Sequence, residues 1–409
     1  MRDWPSTIDA EQWEALARTH GTPFYAYDAS VLHARCSDVS RAFSQAEVRY
    51  AMKANACPAV LDAIREEGFG IDAVSPWEAR YALSRGFDRE SVLYTGNFPS
   101  DDELREVAAL GLVANLDALS ALDRYGVIAK GARVAIRVDL EEGAGHHPHV
   151  VTAGDESKFG LTLDALDEAL QIIERRGLRL VGLHQHIGSG LSTDEHRAVW
   201  LRAAMGLFDV TQRVEARVGP LSFVDVGGGF GVGYRDDERT VELASWGDEL
   251  ERALVERWPD ASRRPALWIE PGRYLVAECG VLVARVSTVK RARDRVWVGT
   301  DAGMHSLVRP AMYGSYHPVT AARVREGARE RCFIVGPICE SGDVLAEERS
   351  MVVPREGDVL IVGVAGAYGY AMASTYNLRA RPAELFYDRG EWRVARPRET
   401  YERVTGEAT

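Results

Sequence analysis

Between residues 45 and 270 the chain alternates eight short β-rich runs with helix-length segments, and few folds accommodate that rhythm. The runs are Val48–Met52, Gly70–Val74, Val92–Thr95, Leu112–Leu116, Arg133–Val138, Leu180–His186, Phe223–Val226 and Ala266–Glu270. Strands separated by helices pair in parallel, so eight such units predict a closed (β/α)8 barrel. The intervening helices carry their own signals. Pro58 opens Pro58–Glu67, Ser100 caps the acid-led Asp101–Leu110, and Asp194–Val218 is long and amphipathic. After Glu270 the alternation stops. Short strand-like runs at Gly280–Thr288, Arg295–Gly299, Arg331–Val335, Val359–Val364 and Arg393–Arg396 predict a second, mostly-β domain, a barrel or a sandwich. Two domains also suit 409 residues, too many for one core. The expected division is residues 1–30 packing with the β domain, 31–272 forming the barrel and 273–409 forming the β domain.

Barrels of this kind place reactive groups at the carboxyl ends of their strands. Lys53 ends the first run. If desolvated, it sheds its proton more easily, and a neutral amine can form a Schiff base with an aldehyde cofactor; a solvated surface charge is the alternative. His186 ends the sixth run, as core filler, metal ligand or a ring stacked on a cofactor. Gly227, Gly228 and Gly229 follow the seventh, as a phosphate cradle, with Ser189 as a possible added donor, or as a tight turn. Glu270 ends the eighth, as partner to a pyridinium nitrogen or as a surface acid. Cys339, in a loop shaped by Pro337 and Gly342, is a proton donor, a nucleophile or an inert core thiol. His146, His147 and His149 cluster after the fifth run. Without a carboxylate or further histidine at ligand spacing they read as a polar loop, and no metal is expected.

A formal charge of −12 disfavours nucleic acid and anionic membrane surfaces as partners. Five cysteines with no knuckle spacing, and no apolar leader or spanning run, predict a reduced, cytoplasmic protein.

Nine motifs occur in order: YAMKAN at Lys53, SKFG at Ser157–Gly160, HQHIGSG at His184–Gly190, GGGFG at Gly227–Gly231, EPGR at Glu270–Arg273, DAGM at Asp301–Met304, RPAMYGSYH at Arg309–His317, GPICESGD at Gly336–Asp343 and AGAYG at Ala365–Gly369. In these the chain resembles the pyridoxal-phosphate-dependent decarboxylases on an alanine-racemase-type barrel, most closely the diaminopimelate decarboxylase family. The resemblance implies pyridoxal 5′-phosphate at the carboxyl-terminal rim and a homodimer with shared sites. Lys53 would carry the cofactor, His186 stack on its ring and Glu270 pair with the ring nitrogen. Ser189, Gly227, Gly228, Gly229, Glu270, Pro271, Gly272, Arg273 and Tyr368 would surround the phosphate. Arg273, Arg309, Tyr313 and Tyr368 would line the substrate site, the first three holding a distal carboxylate. Cys339 and Glu340 would come from the partner subunit, Cys339 returning a proton to the α-carbon and Glu340 holding the distal ammonium. The implied reaction is meso-diaminopimelate to L-lysine and carbon dioxide. A relative acting on ornithine, lysine, arginine or a carrier-bound amino acid is the alternative. Departures from the family pattern occur at Ser374-Thr375-Tyr376-Asn377, at Gly96–Ser100, and at His305-Ser306 after DAGM.

Overall fold

The computed structural model describes residues 4, 7–140, 143 and 157–407; His146, His147 and His149 lie outside them. The first helix, Ala10–His20, is fixed by reciprocal capping between Asp9 and Gln12. Strand β1 (Phe24–Asp28) is buried along its whole length. Helix Ala29–Ala42, capped by Asp28, then leads into the barrel.

Eight parallel strands close on themselves: β2 (Ala46–Ala51), β3 (Gly70–Ala73), β4 (Val92–Thr95), β5 (Val113–Leu116), β6 (Arg133–Arg137), β7 (Arg179–His184), β8 (Phe223–Asp225) and β9 (Ala266–Ile269). Closure sets Ala46 opposite Leu267 and Val48 opposite Ile269. Residues two apart on a strand share a face. Leu93, Val113, Ala135, Phe223 and Trp268 form one buried cluster. Within it the Phe223 and Trp268 rings stack at 3.7 Å, and the Arg49 guanidinium lies 3.9 Å from the Trp268 ring centre. Two residues further along the same strands come Thr95, Asn115, Arg137, Asp225 and Glu270, all buried. With Asp72 and His184 they form a polar layer above the apolar one, at the end where the strands run out.

Six of the eight strands stop one or two residues earlier than their composition suggests, and at three of them this leaves a site residue off the strand. β2 ends at Ala51, and Met52–Ala54 is a single 3-10 turn. β7 ends at His184, and β9 at Ile269. Just past those points single backbone bonds still tie the turns to the neighbouring strand or the turn beyond it: Gln185 N donates to Asp225 O at 3.0 Å, and Glu270 N to Gly227 O at 2.9 Å. Lys53, His186 and Glu270 therefore sit on turns just beyond the strands, not on the strands.

The second domain contains β10 (Gly280–Ala292), β11 (Arg295–Thr300), β12 (Val319–Ala321), β13 (Arg329–Val335), β14 (Val344–Val352), β15 (Val359–Val362), β16 (Ala383–Asp388) and β17 (Glu391–Arg396). They form a mixed sheet in the order β14-β13-β11-β10-β1-β16-β17, with β15 on β10 and β12 on β15. β1 lies between β10, antiparallel, and β16, parallel, so a strand that precedes the barrel in sequence is central to the sheet. Trp4, Trp13 and Trp392 pack against one another on this side.

Candidate active site

The turn that carries Lys53 is locked by its neighbours. Tyr50 donates its hydroxyl to Asn55 O at 2.9 Å, Asn55 Nδ2 donates to Gly366 O at 2.8 Å, and Tyr368 N donates to Ala54 O at 2.8 Å. The barrel and the β domain thus grip the same six residues. Lys53 Nζ lies 2.7 Å from Asp72 Oδ2 in the polar layer. Burial alone would depress the lysine, but the Asp72 and Glu270 carboxylates outweigh it and raise its pKa above the ordinary value. This reverses the expectation of an easily lost proton: the free Lys53 side chain is an ammonium. Burial and Glu270 in turn raise the Asp72 carboxyl, against the pull of Lys53.

Glu270 Oε2 accepts from His184 Nε2 at 3.1 Å, while its Oε1 has no hydrogen-bond partner among the described residues. Burial would neutralise this acid, but His184 holds it below the usual carboxylate range. Asp225, buried next to it, goes the other way through burial and the charge of Glu270. The polar layer is therefore graded, with Glu270 ionised and Asp225 holding its proton more tightly.

His186 has its pKa pushed far down, by burial first and then by Lys53 and Arg137. Its Nδ1 accepts from Gly228 N at 3.2 Å, which assigns the neutral ring's proton to Nε2. A β-carbon on Gly228 would come within 2.1 Å of Glu270 O, so glycine is required there for contact between loops, not for freedom to turn. Gly227 N is also engaged, by Asp225 Oδ1 at 2.9 Å. Of the three glycines only Gly229, at φ +99°, faces the small pocket bounded by Lys53, His186, Ser189, Glu270 and Tyr368. The expected cradle is thus narrower than a run of three donors. Pro271 contributes its carbonyl to Ala51 N at 3.2 Å, and Gly272 lines the pocket.

This pocket adjoins a cavity of about 320 Å³ whose walls include Arg137, Phe159, Arg309, Tyr313 and Met372 besides Lys53 and Glu270. Arg273 bonds Ser189 Oγ through Nη2 at 3.1 Å and Tyr234 through Nη1 at 2.8 Å. Arg309 reaches the same Tyr234 oxygen at 3.0 Å. Lys53, His186, Ser189, Glu270, Arg273, Arg309, Tyr313 and Tyr368 are therefore brought together in one chain. Cys339 and Glu340 are not: both are exposed, and neither lines the pocket or the cavity. Their loop is clamped by Asp343, which accepts from Met304 N at 2.5 Å and Ile338 N at 2.6 Å. Asn377 Nδ2 donates to Cys339 Sγ at 3.4 Å, and Tyr376 donates to Glu340. The stretch Ser374–Asn377 thus supplies direct contacts to both residues, through Tyr376 and Asn377.

Sequence reading missed Asp72, His184, Tyr234 and Asp343. Strand position could have revealed the first two, since Asp72 lies one residue before the carboxyl end of its strand and His184 ends its own. Nothing in the spacing reveals Tyr234.

His305, at the departure that follows DAGM, is buried, and burial followed by Arg379 lowers its pKa to about 4. A depressed histidine favours folding above its unfolded pKa of about 6.5, and that contribution is lost as pH falls toward 4. The stability advantage of the wild type over His305→Asn is expected to shrink by at most about 1.4 kcal/mol per pH unit across that window. Urea unfolding of both proteins from pH 7 to pH 4 measures this, and a pH-independent difference would refute it.

Residues 29–277 match the family model described as the pyridoxal binding domain of pyridoxal-dependent decarboxylases. The chain is 40% identical over 394 residues to diaminopimelate decarboxylase of Methanothermobacter thermautotrophicus, covering 94% of this chain and 91% of that protein. It is 35% identical over 405 residues to the Archaeoglobus fulgidus enzyme of the same name, covering 97% and 94%. Helicobacter pylori diaminopimelate decarboxylase, solved in complex with L-lysine, superposes with a TM-score of 0.88 at 30% identity, over 96% of this chain and 98% of that one.

Proposed function

The chain belongs to the pyridoxal-dependent decarboxylase family, and from that premise we propose that it converts meso-diaminopimelate to L-lysine and carbon dioxide, a step of lysine biosynthesis. It is a pyridoxal-phosphate-dependent carboxy-lyase. The observation that carries the substrate reading is one cavity lined by Lys53 and Glu270 together with Arg309. An amine, an acid and a guanidinium suit a cofactor at one end of a ligand and a carboxylate at its other end.

The residues present fit the cofactor. Glu270 Oε1 is a buried acceptor without a donor among the described residues, a fit for a protonated ring nitrogen. When bound, pyridoxal phosphate supplies an aldehyde carbon for amine condensation and a ring that takes up the electron pair left by departing carbon dioxide. Lys53 Nζ would hold the cofactor, and the Asp72 carboxylate 2.7 Å away is the base placed to take the proton that Nζ must shed. The neutral His186 ring, fixed through Nδ1, offers its face for stacking. Ser189, Gly229, Gly272, Arg273 and Tyr368 would surround the phosphate, with Gly227, Gly228 and Pro271 shaping the loops behind them. Arg273, Arg309 and Tyr313 hold the distal carboxylate. Arg137 and Phe159 help to exclude water from the cavity.

The exposed Cys339 and Glu340 point to a homodimer in which each subunit completes the other's site. Cys339 of the partner subunit protonates the α-carbon, and Glu340 of the partner subunit holds the distal ammonium. The domain division at residues 30 and 272 belongs to the same proposal, supported by the pairing of β1 with β10 and β16. So does a cytoplasmic location, since five free thiols suit a reducing compartment.

Carbon dioxide release from the diaminopimelate stereoisomers, L-lysine, L-ornithine, L-arginine and L-glutamate tests the reading. The meso isomer is expected to be used at least about a hundredfold better than the others by kcat/KM. Faster use of ornithine or arginine would overturn it. Arg309→Ala is expected to raise KM for meso-diaminopimelate about 10- to 100-fold, the worth of a charge-assisted contact, and to change cofactor affinity far less. An unchanged KM would remove Arg309 from the substrate site.

A further inference from the structure

We infer that Tyr234 is a positioning residue that sets the preference for ligands with a distal carboxylate, by holding Arg273 and Arg309 in one convergent arrangement. The inference rests on the proposed role of those arginines.

Three segments meet at the Tyr234 hydroxyl oxygen. Arg273 Nη1 donates to it from 2.8 Å, and Arg309 Nη1 from 3.0 Å. A phenolic oxygen has two lone pairs, and both are used. Each guanidinium has further partners. Arg273 bonds Ser189 Oγ and lies 5.0 Å from the Tyr368 ring centre. Arg309 bonds Ser315 Oγ at 3.3 Å and His317 Nε2 at 3.0 Å. His317 Nδ1 lies 3.0 Å from the Gly363 carbonyl, which can only accept, so Nδ1 carries the proton and Nε2 is free to accept from Arg309. The Tyr234 ring stands edge-on to His317 at 5.4 Å, and the Arg309 guanidinium lies 5.0 Å from its centre.

Two cations converging on one region repel each other, and a shared acceptor holds them there before any ligand arrives. Tyr234 does not line the cavity that Arg273 and Arg309 line. It lines a separate groove of about 910 Å³. It therefore acts on a ligand through the arginines and not by contact. Without its oxygen, each arginine keeps its charge but loses the one bond that ties it to the other arginine. The loss should fall on ligands that need both guanidinium groups.

The test uses the holoenzyme and the substitution Tyr234→Phe, which keeps the ring. L-lysine retains the distal carboxylate, whereas pentane-1,5-diamine lacks it. Calorimetric Kd for L-lysine and KM for meso-diaminopimelate are expected to rise about tenfold. The diamine Kd should stay within about twofold and kcat within about threefold, a split that general loosening of the site would not produce. An unchanged L-lysine Kd, or equal weakening of both ligands, overturns the inference. If Tyr234→Phe is insoluble, Tyr234→Gln, which restores an acceptor, is expected to bind L-lysine several-fold more tightly than Tyr234→Leu, and equal affinities overturn it. If Arg309→Ala raises KM while Tyr234→Phe does not, Tyr234 alone loses its role. If Arg309→Ala changes nothing, the distal-carboxylate reading itself fails.

Discussion

Lys53→Ala is expected to abolish decarboxylation, by at least about ten-thousandfold in kcat, and to leave the protein without the visible absorption of lysine-linked pyridoxal phosphate. The substitution removes the one lysine among the cavity's lining residues. It also strands Asp72, fully buried, without the ammonium at 2.7 Å, and its Oδ1 already has no hydrogen-bond partner among the described residues. Removing one member of such a pair destabilises through the charge left behind. The carboxyl, already raised by burial and Glu270, can relieve that cost by taking a proton. Two measurements then separate chemistry from folding. Adding Asp72→Asn to Lys53→Ala should recover about 1–3 kcal/mol of stability, since the stranded acid is gone. It should recover no turnover. A Lys53→Ala protein that keeps more than about a tenth of wild-type kcat would place the covalent attachment elsewhere.

The barrel was legible because its signals are local and repeated. Ser100 stands where a cap is needed and the helix Asp101–Leu110 falls where that cap puts it, while the amphipathic period alone marks Asp194–Val218. The β sheet was harder to read. β14 carries Glu347, Glu348 and Arg349 in its middle, exposed or half-buried at the sheet edge, so its apolar alternation is broken. β16 starts after Pro382 and contains Glu384, a charge that is buried only because Arg396 and Tyr27 meet it from other strands. Those partners are distant in sequence, and composition marks the segment as loop. The same distance hid the electrostatics of the site. Burial of Lys53 could be guessed from its place after a strand, but the sign of its pKa shift depends on Asp72, which the closed barrel sets beside it. Likewise Tyr234 lies in a polar loop, Gly233–Glu238, and its two arginines come from elements 39 and 75 residues away.

Cys339→Ala is expected to slow turnover about 100- to 1000-fold, the usual worth of a positioned proton donor, while leaving cofactor absorption intact. The stronger result concerns where that thiol acts. Asp343 and Asn377 fix the Cys339 loop at a defined place on the surface, outside the cavity of the same chain. A donor must lie within hydrogen-bond reach of the carbon it protonates, so a surface thiol serves this reaction only if a second subunit docks over the cavity mouth. The Lys53→Ala and Cys339→Ala homodimers would each be nearly inactive, for different reasons. Mixed, their heterodimer would contain one site with both substitutions and one with neither. Random exchange makes half the dimers mixed, each with one intact site of two, so activity should return to about a quarter of wild type. If the mixture stays as inactive as its components after subunit exchange has been verified, Cys339 does not act across an interface. A Cys339→Ala homodimer with near-wild-type turnover would remove the thiol from the reaction altogether.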